Sequence, residues 1–282
     1  MKKRKAAFSV YIMIFTACLW AVAHNVYLPG RSRYDSRIET YTYQLSHSST
    51  YSPVYSSYAN LSADELSIET RDTDETRVTK TVYLTFDDGP SQRTPEVLDI
   101  LKKYDVKATF FIIKGDEKYP EYMKRAVEEG HTVAVHSASH KYNEIYSSVD
   151  NFLNDFTDCY DYITQVTGVS PTIFRFPGGS VNNYNSSIRR KLVEEMGRRG
   201  FVYFDWNVES GDGSGKLSSS TIYKNVINGC KGKERAIVIM HDSAGKSTTV
   251  GALEDIILRL KEDGWQFARL DNEVKPMVFR MK

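Results

Sequence analysis

The sequence is poor in the residues that staple a fold or cradle a phosphate. Three cysteines in 282 residues are too few for a disulfide framework to stand in for a hydrophobic core. Cys18 lies inside an apolar run, and Cys159 and Cys230 either pair in an oxidising compartment or stand as separate thiols. No glycine-rich loop joins a strand directly to a helix, which removes the common nucleotide-binding signatures. Gly211-Asp212-Gly213-Ser214-Gly215 is rich in glycine but reads as a flexible loop. No internal repeat is visible. Charge of one sign is missing too: the net charge is +1, which gives no reason to expect nucleic acid as a partner. Histidine is scarce, with six in all, so any close pair of them stands out. What remains is ordinary globular material, 41% hydrophobic and 26% charged, enough for one large domain and an appendage.

The appendage is N-terminal. Lys2, Lys3, Arg4 and Lys5 precede an uncharged, mostly apolar run over 6–23. A basic start, an apolar stretch and the small-residue Ala21-Val22-Ala23 have the order of a cleavable signal. A spanning anchor with its basic end in the cytoplasm fits as well. Residues 1–30 are therefore expected to be a signal peptide or signal anchor. Either one exports the rest of the chain, placing it outside the cytoplasm, secreted or membrane-anchored. Residues 31–78 follow as a polar linker rich in Ser, Thr and Tyr, without sustained periodicity. Six of the 19 tyrosines (Tyr34, Tyr41, Tyr43, Tyr51, Tyr55 and Tyr58) lie there.

From residue 79 the pattern changes to strands alternating with amphipathic helices. Short β-prone runs occur at 81–86, 108–113, 132–135, 173–174, 201–204, 236–240 and 266–269. Helical periodicity fills the intervals, as in 119–129, where Tyr119, Tyr122, Met123, Ala126 and Val127 recur at helical spacing. This alternation predicts an α/β domain over 79–282 with a mainly parallel sheet. Six or seven such units suggest a distorted (β/α) barrel with fewer than eight complete units, an open doubly wound sheet being the alternative.

The polar residues that need explaining fall at the ends of these strands. Asp87 and Asp88 follow the first, His136 and His140 the third, Arg175 the fourth, Asp205 the fifth and His241 the sixth. In a parallel barrel those ends converge on the face where active sites are built. Taken singly, each has an ordinary explanation: a solvated turn, capping histidines, a surface arginine. Taken together they supply the parts of a site. Two imidazoles at i, i+4 share one side of a turn, and with a carboxylate they leave a metal position open for water, as catalytic zinc needs. A guanidinium grips a carboxylate in forked geometry. An imidazole beside a carboxylate is oriented and made more basic. His131 lies at the other end of its strand and reads as structural.

Thr85-Phe86-Asp87-Asp88-Gly89, His136-Ser137-x-x-His140, Arg175-Phe176-Pro177, Asp205-Trp206 and Ile239-Met240-His241 resemble, in order, the five motifs of the polysaccharide deacetylases, carbohydrate esterase family 4. The resemblance runs from about residue 79 to 272. It implies one divalent metal, zinc first, with cobalt, nickel or manganese as alternatives, held by Asp88, His136 and His140. It implies Asp87 as general base, His241 as general acid, Arg175 positioning Asp87, and Asp205 tuning His241. Trp206 would wall the site, Ile239 would line the acetyl pocket, and the Gly178 backbone N–H would face the oxyanion. There are two departures. Where many members continue the third motif to a proline and a bulky aromatic residue, this chain reads Pro177-Gly178-Gly179-Ser180 and lacks that groove wall. The fifth motif has isoleucine where leucine is usual.

The expected activity is removal of N-acetyl groups from an envelope polysaccharide, with N-acetylglucosamine of peptidoglycan as first choice and chitin oligomers next. The partners are then an N-acetylated polysaccharide and, if the N-terminal segment is uncleaved, the membrane. An O-acetyl esterase on xylan-like polymers and a non-catalytic carbohydrate-binding module are the competing readings.

Overall fold

The computed structural model describes residues 79–281. The expected signal segment at 1–30 and the linker at 31–78 lie outside the described residues. Among the described residues no helix is long and apolar enough to cross a membrane.

The chain runs β1 (Thr81–Gly89), α1 (Thr94–Lys103), β2 (Thr109–Ile113), α2 (Pro120–Glu128), β3 (Thr132–Ser137), α3 (Tyr142–Ile145), α4 (Val149–Thr167), β4 (Ile173–Phe174), α5 (Arg189–Arg198), β5 (Val202–Tyr203) and β6 (Val208–Glu209). A single 3₁₀ turn (Asp212–Ser214), α6 (Ser219–Cys230), β7 (Arg235–His241), α7 (Ser247–Glu262) and β8 (Gln266–Ala268) complete it. All strand pairs are parallel. The order is β5-β4-β3-β2-β1-β7-β6, with β8 pairing β1 off that path. β8 takes the first three residues of β1, and β2 takes its far end. β5 passes to β6 without a helix, so the succession of strand–helix units is interrupted, as an incomplete barrel requires. The two-residue β6 and the one-turn α3 are too short to leave a periodic signal in sequence.

β1, β2 and β3 are buried along almost their whole length, the pattern of parallel strands covered on both faces. The helices have readable ends. Ser148 caps α4 by accepting from the Asn151 N–H, and Gly168 closes it at φ 73°; Ser218 accepts from the Thr221 N–H at the start of α6. α4 is pinned by its aromatic stripe. Phe156 packs edge-on against Phe201 at 4.8 Å and against Phe174 at 5.5 Å, geometry worth about 0.5–1.5 kcal/mol per pair beyond area burial. Cys159 and Cys230 are both buried and free, so the pairing alternative does not apply.

Alternation along the strands carries the fold into the site. Tyr83, Ala134, Ile173, Val202 and Ile237 gather with Phe111, Phe204 and Leu270 in one apolar cluster. Two residues further along β1, β3 and β7, and just beyond β4, come Thr85, His136, Ile239 and Arg175. Two further again on β1 and β7 are Asp87 and His241, which are register partners, as are Thr85 and Ile239. The apolar plug thus ends in a layer of ionisable groups at the C-terminal ends of the strands.

Candidate metal and catalytic site

Asp88 leaves β1 with φ 70°, and His140 sits at φ 55°. Both occupy the left-handed region, which costs a non-glycine residue about 1–3 kcal/mol and persists where surrounding structure enforces it. The effect is convergence. His136 Nε2 lies 3.6 Å and His140 Nε2 3.5 Å from Asp88 Oδ1. That Asp88 oxygen is buried and has no hydrogen-bond partner. An unsatisfied buried carboxylate oxygen is costly, and a cation between it and the two imidazoles relieves the cost. One ligand atom from each of the three residues lies within 4.8 Å of the others. The donor set of two imidazoles and one carboxylate suits zinc and leaves further positions open.

The histidines are prepared for this. The Arg175 carbonyl lies 2.9 Å from His136 Nδ1. A carbonyl only accepts, so Nδ1 carries the proton and Nε2 turns its lone pair toward Asp88. Burial pushes the His136 pKa down to about 3, which keeps the ring neutral. The His136–His140 loop is fixed by Asp155 on α4. Its carboxylate accepts from Ser137 Oγ at 2.5 Å, Ala138 N at 2.9 Å and Ser139 N at 2.8 Å, and Ser137 Oγ accepts in turn from His140 N at 2.9 Å. Asp155→Ala is expected to weaken metal binding about 10–100-fold, read by competition with a chelating dye. Unchanged affinity would mean that the loop holds its shape without that carboxylate.

Arg175 is fully buried and its side chain is spoken for. Nη1 donates to Asp87 Oδ1 at 2.8 Å and to Thr85 Oγ1 at 2.7 Å, Nε to Phe204 O at 2.9 Å, and Nη2 to Asp205 O at 3.3 Å. The guanidinium also lies over the Phe111 ring, 4.2 Å from its centroid. Asp87 is therefore gripped through Oδ1, while Oδ2 faces His136 Nε2 at 3.9 Å. On the other side of Asp88, His241 Nε2 stands 4.0 Å from Oδ2.

The partner of His241 is a correction. The resemblance assigns that part to Asp205, but the Asp205 carboxylate accepts from Ser180 N at 2.8 Å, Ser180 Oγ at 2.5 Å and Phe279 N at 2.6 Å. It ties the turn after β4 to the C-terminal segment, and burial raises its pKa against those hydrogen bonds. His241 Nδ1 instead meets Asp212 Oδ1 at 2.7 Å. Asp212 also accepts from Ser210 Oγ and Thr249 Oγ1, each at 2.8 Å, and from His241 N at 2.9 Å. The glycine-rich 211–215 segment, expected to be a flexible loop, thus delivers a buried carboxylate. Burial alone would lower the His241 pKa, but the Asp212 hydrogen bond and the charges of Asp87, Asp212 and Asp88 outweigh it and hold the ring above its ordinary value.

The other expected residues take these places. Gly178, at φ 74°, lies in the turn after Arg175. Trp206 packs edge-on to Phe279 at 4.8 Å and donates to Glu209 Oε1 at 3.0 Å. Ile239 is buried on β7, two residues before His241. His131 accepts from Ala108 N at 3.1 Å, away from the site. Asp212, Asp155 and Thr85 were missed by sequence reasoning. Asp155 did leave a signal: it interrupts the buried face of α4 between Phe152 and Cys159, where a charge needs a partner.

The polysaccharide deacetylase family model matches residues 74–200. A peptidoglycan-N-acetylglucosamine deacetylase of Bacillus cereus is 36% identical over 200 residues, covering 69% of this chain and 70% of that protein. The catalytic domain of peptidoglycan N-acetylglucosamine deacetylase from Eubacterium rectale superposes with a TM-score of 0.69 at 40% identity, covering 75% of this chain and 97% of that one. The peptidoglycan deacetylase PdaC from Bacillus subtilis gives a TM-score of 0.57 at 30% identity, over 69% and 90%. The order of the motifs, a matching half-barrel and this degree of identity lead to one conclusion: the chain belongs to the polysaccharide deacetylase family.

Proposed function

We propose that the chain is a metal-dependent hydrolase that removes N-acetyl groups from an exported polysaccharide, with N-acetylglucosamine of peptidoglycan as substrate. The observation that carries the reading is the flanking of the Asp88–His136–His140 cluster by a gripped carboxylate on one side and a carboxylate-backed imidazole on the other. When bound, zinc supplies Lewis-acid polarisation at the acetamide carbonyl and lowers the pKa of water.

The chain's own residues divide the proton work. Asp87, with Oδ1 held by Arg175, takes the proton of the attacking water at Oδ2. His241 carries a proton on Nε2 and delivers it to the departing sugar nitrogen, while Asp212 holds Nδ1 and steadies the imidazolium. The Gly178 N–H faces the developing oxyanion. Ile239 lines the space for the acetyl methyl, and Trp206 walls the groove. Asp205 acts at a distance from the proton path by fixing the 176–180 turn that carries Gly178. The basic and apolar N-terminal residues support export, as a cell-envelope substrate requires.

The purified chain, incubated with peptidoglycan and with chitooligosaccharides, is expected to release acetate and to stop when a chelator is added. Mass spectrometry of the products reads the loss of acetyl groups. Faster release from acetylated xylan than from either N-acetylated polymer would overturn the amide specificity, and chelator-insensitive release would overturn the metal.

A further inference from the structure

The turn after Arg175 lies between two sets of aromatic rings. Gly178 and Gly179 have φ 74° and 83°, and each stands where a side chain would collide with a ring. A Cβ at Gly178 would come within 2.8 Å of Tyr142 Cε1, and one at Gly179 within 2.7 Å of the Phe279 ring and 3.2 Å of Trp206. The diglycine is thus a low floor with Tyr142 on one side and Trp206 with Phe279 on the other.

The Tyr142 side extends outward from the metal cluster. The Tyr142 ring meets His140 edge-on at 5.1 Å, and Tyr184 lies against Tyr142 at 5.0 Å, tilted 36°. Exposure rises along this line, and Tyr184 is 51% exposed. Among the described residues only Val169 and Leu258 are other large hydrophobics so open to water. The Tyr184 backbone is held, since its N–H donates to Asn182 Oδ1 at 2.8 Å, and Asn182 Nδ2 donates to Pro177 O at 3.2 Å and Gly179 O at 3.0 Å. A large ring on a tethered backbone at the mouth of a site is the arrangement of a ligand platform rather than of a loose surface side chain.

An aromatic face with a hydroxyl at its edge suits a ligand that is apolar on its faces and polar around its rim, which describes a pyranose ring. We propose that Tyr142 and Tyr184, facing Trp206 and Phe279 across Gly178-Gly179, form a groove that takes the sugar next to the one losing its acetyl group, with Tyr184 setting the preference for longer chains. The inference rests on the deacetylase reading of the adjoining site. It accounts for the absence of a bulky residue at position 178: the wall is supplied from α3 and from residue 184 instead.

The test compares wild type, Tyr184→Ala, Tyr184→Phe and, as an exposed control on α7, Leu258→Ala, with chitobiose and chitotetraose. Tyr184→Ala is expected to raise KM for chitotetraose roughly five- to tenfold and to erase the wild-type advantage of the tetramer over the dimer. Tyr184→Phe retains the ring and should keep most of that advantage; Leu258→Ala should match wild type. An unaltered KM for chitotetraose in Tyr184→Ala overturns the groove. If wild type releases no acetate, the deacetylase reading fails separately, and the groove is then read by the Kd for chitotetraose from calorimetry. A weaker Kd in Tyr184→Ala supports it, and an equal Kd overturns it.

Discussion

Asp87→Asn is expected to reduce acetate release about 100- to 10,000-fold, the range for loss of a positioned general base, while the metal still binds. Asparagine has the shape of aspartate but takes up no proton at neutral pH. The three groups around the metal position remain, so metal content by elemental analysis should match wild type. The same change has a second, independent effect. Arg175 is fully buried and loses its only carboxylate partner among the described residues, Asp87 Oδ1 at 2.8 Å. Removing one member of a buried ion pair typically costs about 3–5 kcal/mol. The carbonyls of Phe204 and Asp205 and the Thr85 hydroxyl still accept from the guanidinium, which places the expected loss toward the lower end. Thermal melts and turnover should therefore both change. Arg175→Met in the Asp87→Asn background removes the stranded charge and should recover part of the Tm without recovering turnover. Wild-type turnover in Asp87→Asn would refute the base; a wild-type Tm would refute the stabilising role of the pair.

That double role explains which parts of the molecule were readable from sequence. Alternating strands and helices gave an incomplete parallel barrel, because buried strands such as 81–86 and 236–240 need continuous apolar runs and the helices need one apolar face. The positions of Asp87, Asp88, His136, His140, Arg175 and His241 could be inferred because each follows a strand end. Asp212 could not be found that way. It sits in a glycine-rich turn after the two-residue β6, which has no pattern of its own, and it reaches His241 only because the turn folds back over the end of β7. Gly213 permits that approach, since a Cβ there would lie 3.0 Å from His241 Cε1. Asp205 misled for the converse reason. It does follow a strand end, but its carboxylate is turned away by the Ser180 and Phe279 amides. Sequence spacing specifies which element carries a residue; which way a carboxylate faces depends on loops and on a C-terminal segment far along the chain.

The exchange of Asp205 for Asp212 makes the second large prediction. Asp212→Asn is expected to lower turnover about 100-fold or more near neutral pH, as removal of a carboxylate behind a proton-transferring imidazole does. It should also move the alkaline limb of the kcat/KM profile to lower pH. His241 acts in its protonated form, so activity falls as pH rises through its folded pKa. Burial lowers that pKa and the carboxylates raise it, with a net rise; without Asp212 the burial effect gains weight. Asp212 itself is held below its ordinary value, because the hydrogen bond and charge of His241, with the Thr249 and Ser210 hydroxyls, outweigh its burial. Stability follows the same signs. The raised histidine contributes fully below its unfolded pKa of about 6.5, and that contribution is lost as pH rises through the folded value. The depressed aspartate contributes fully above its unfolded pKa of about 4, and that contribution is lost as pH falls through the folded value. The pair is therefore most stabilising between those two unfolded values, at mildly acid pH. NMR titration of the His241 ring should give a lower pKa in Asp212→Asn than in wild type. Asp205→Asn should leave that titration nearly in place and instead loosen the 176–180 turn, seen as faster amide exchange at Ser180 and Phe279. If Asp205→Asn shifts the His241 titration and Asp212→Asn does not, the assignment of partners is reversed.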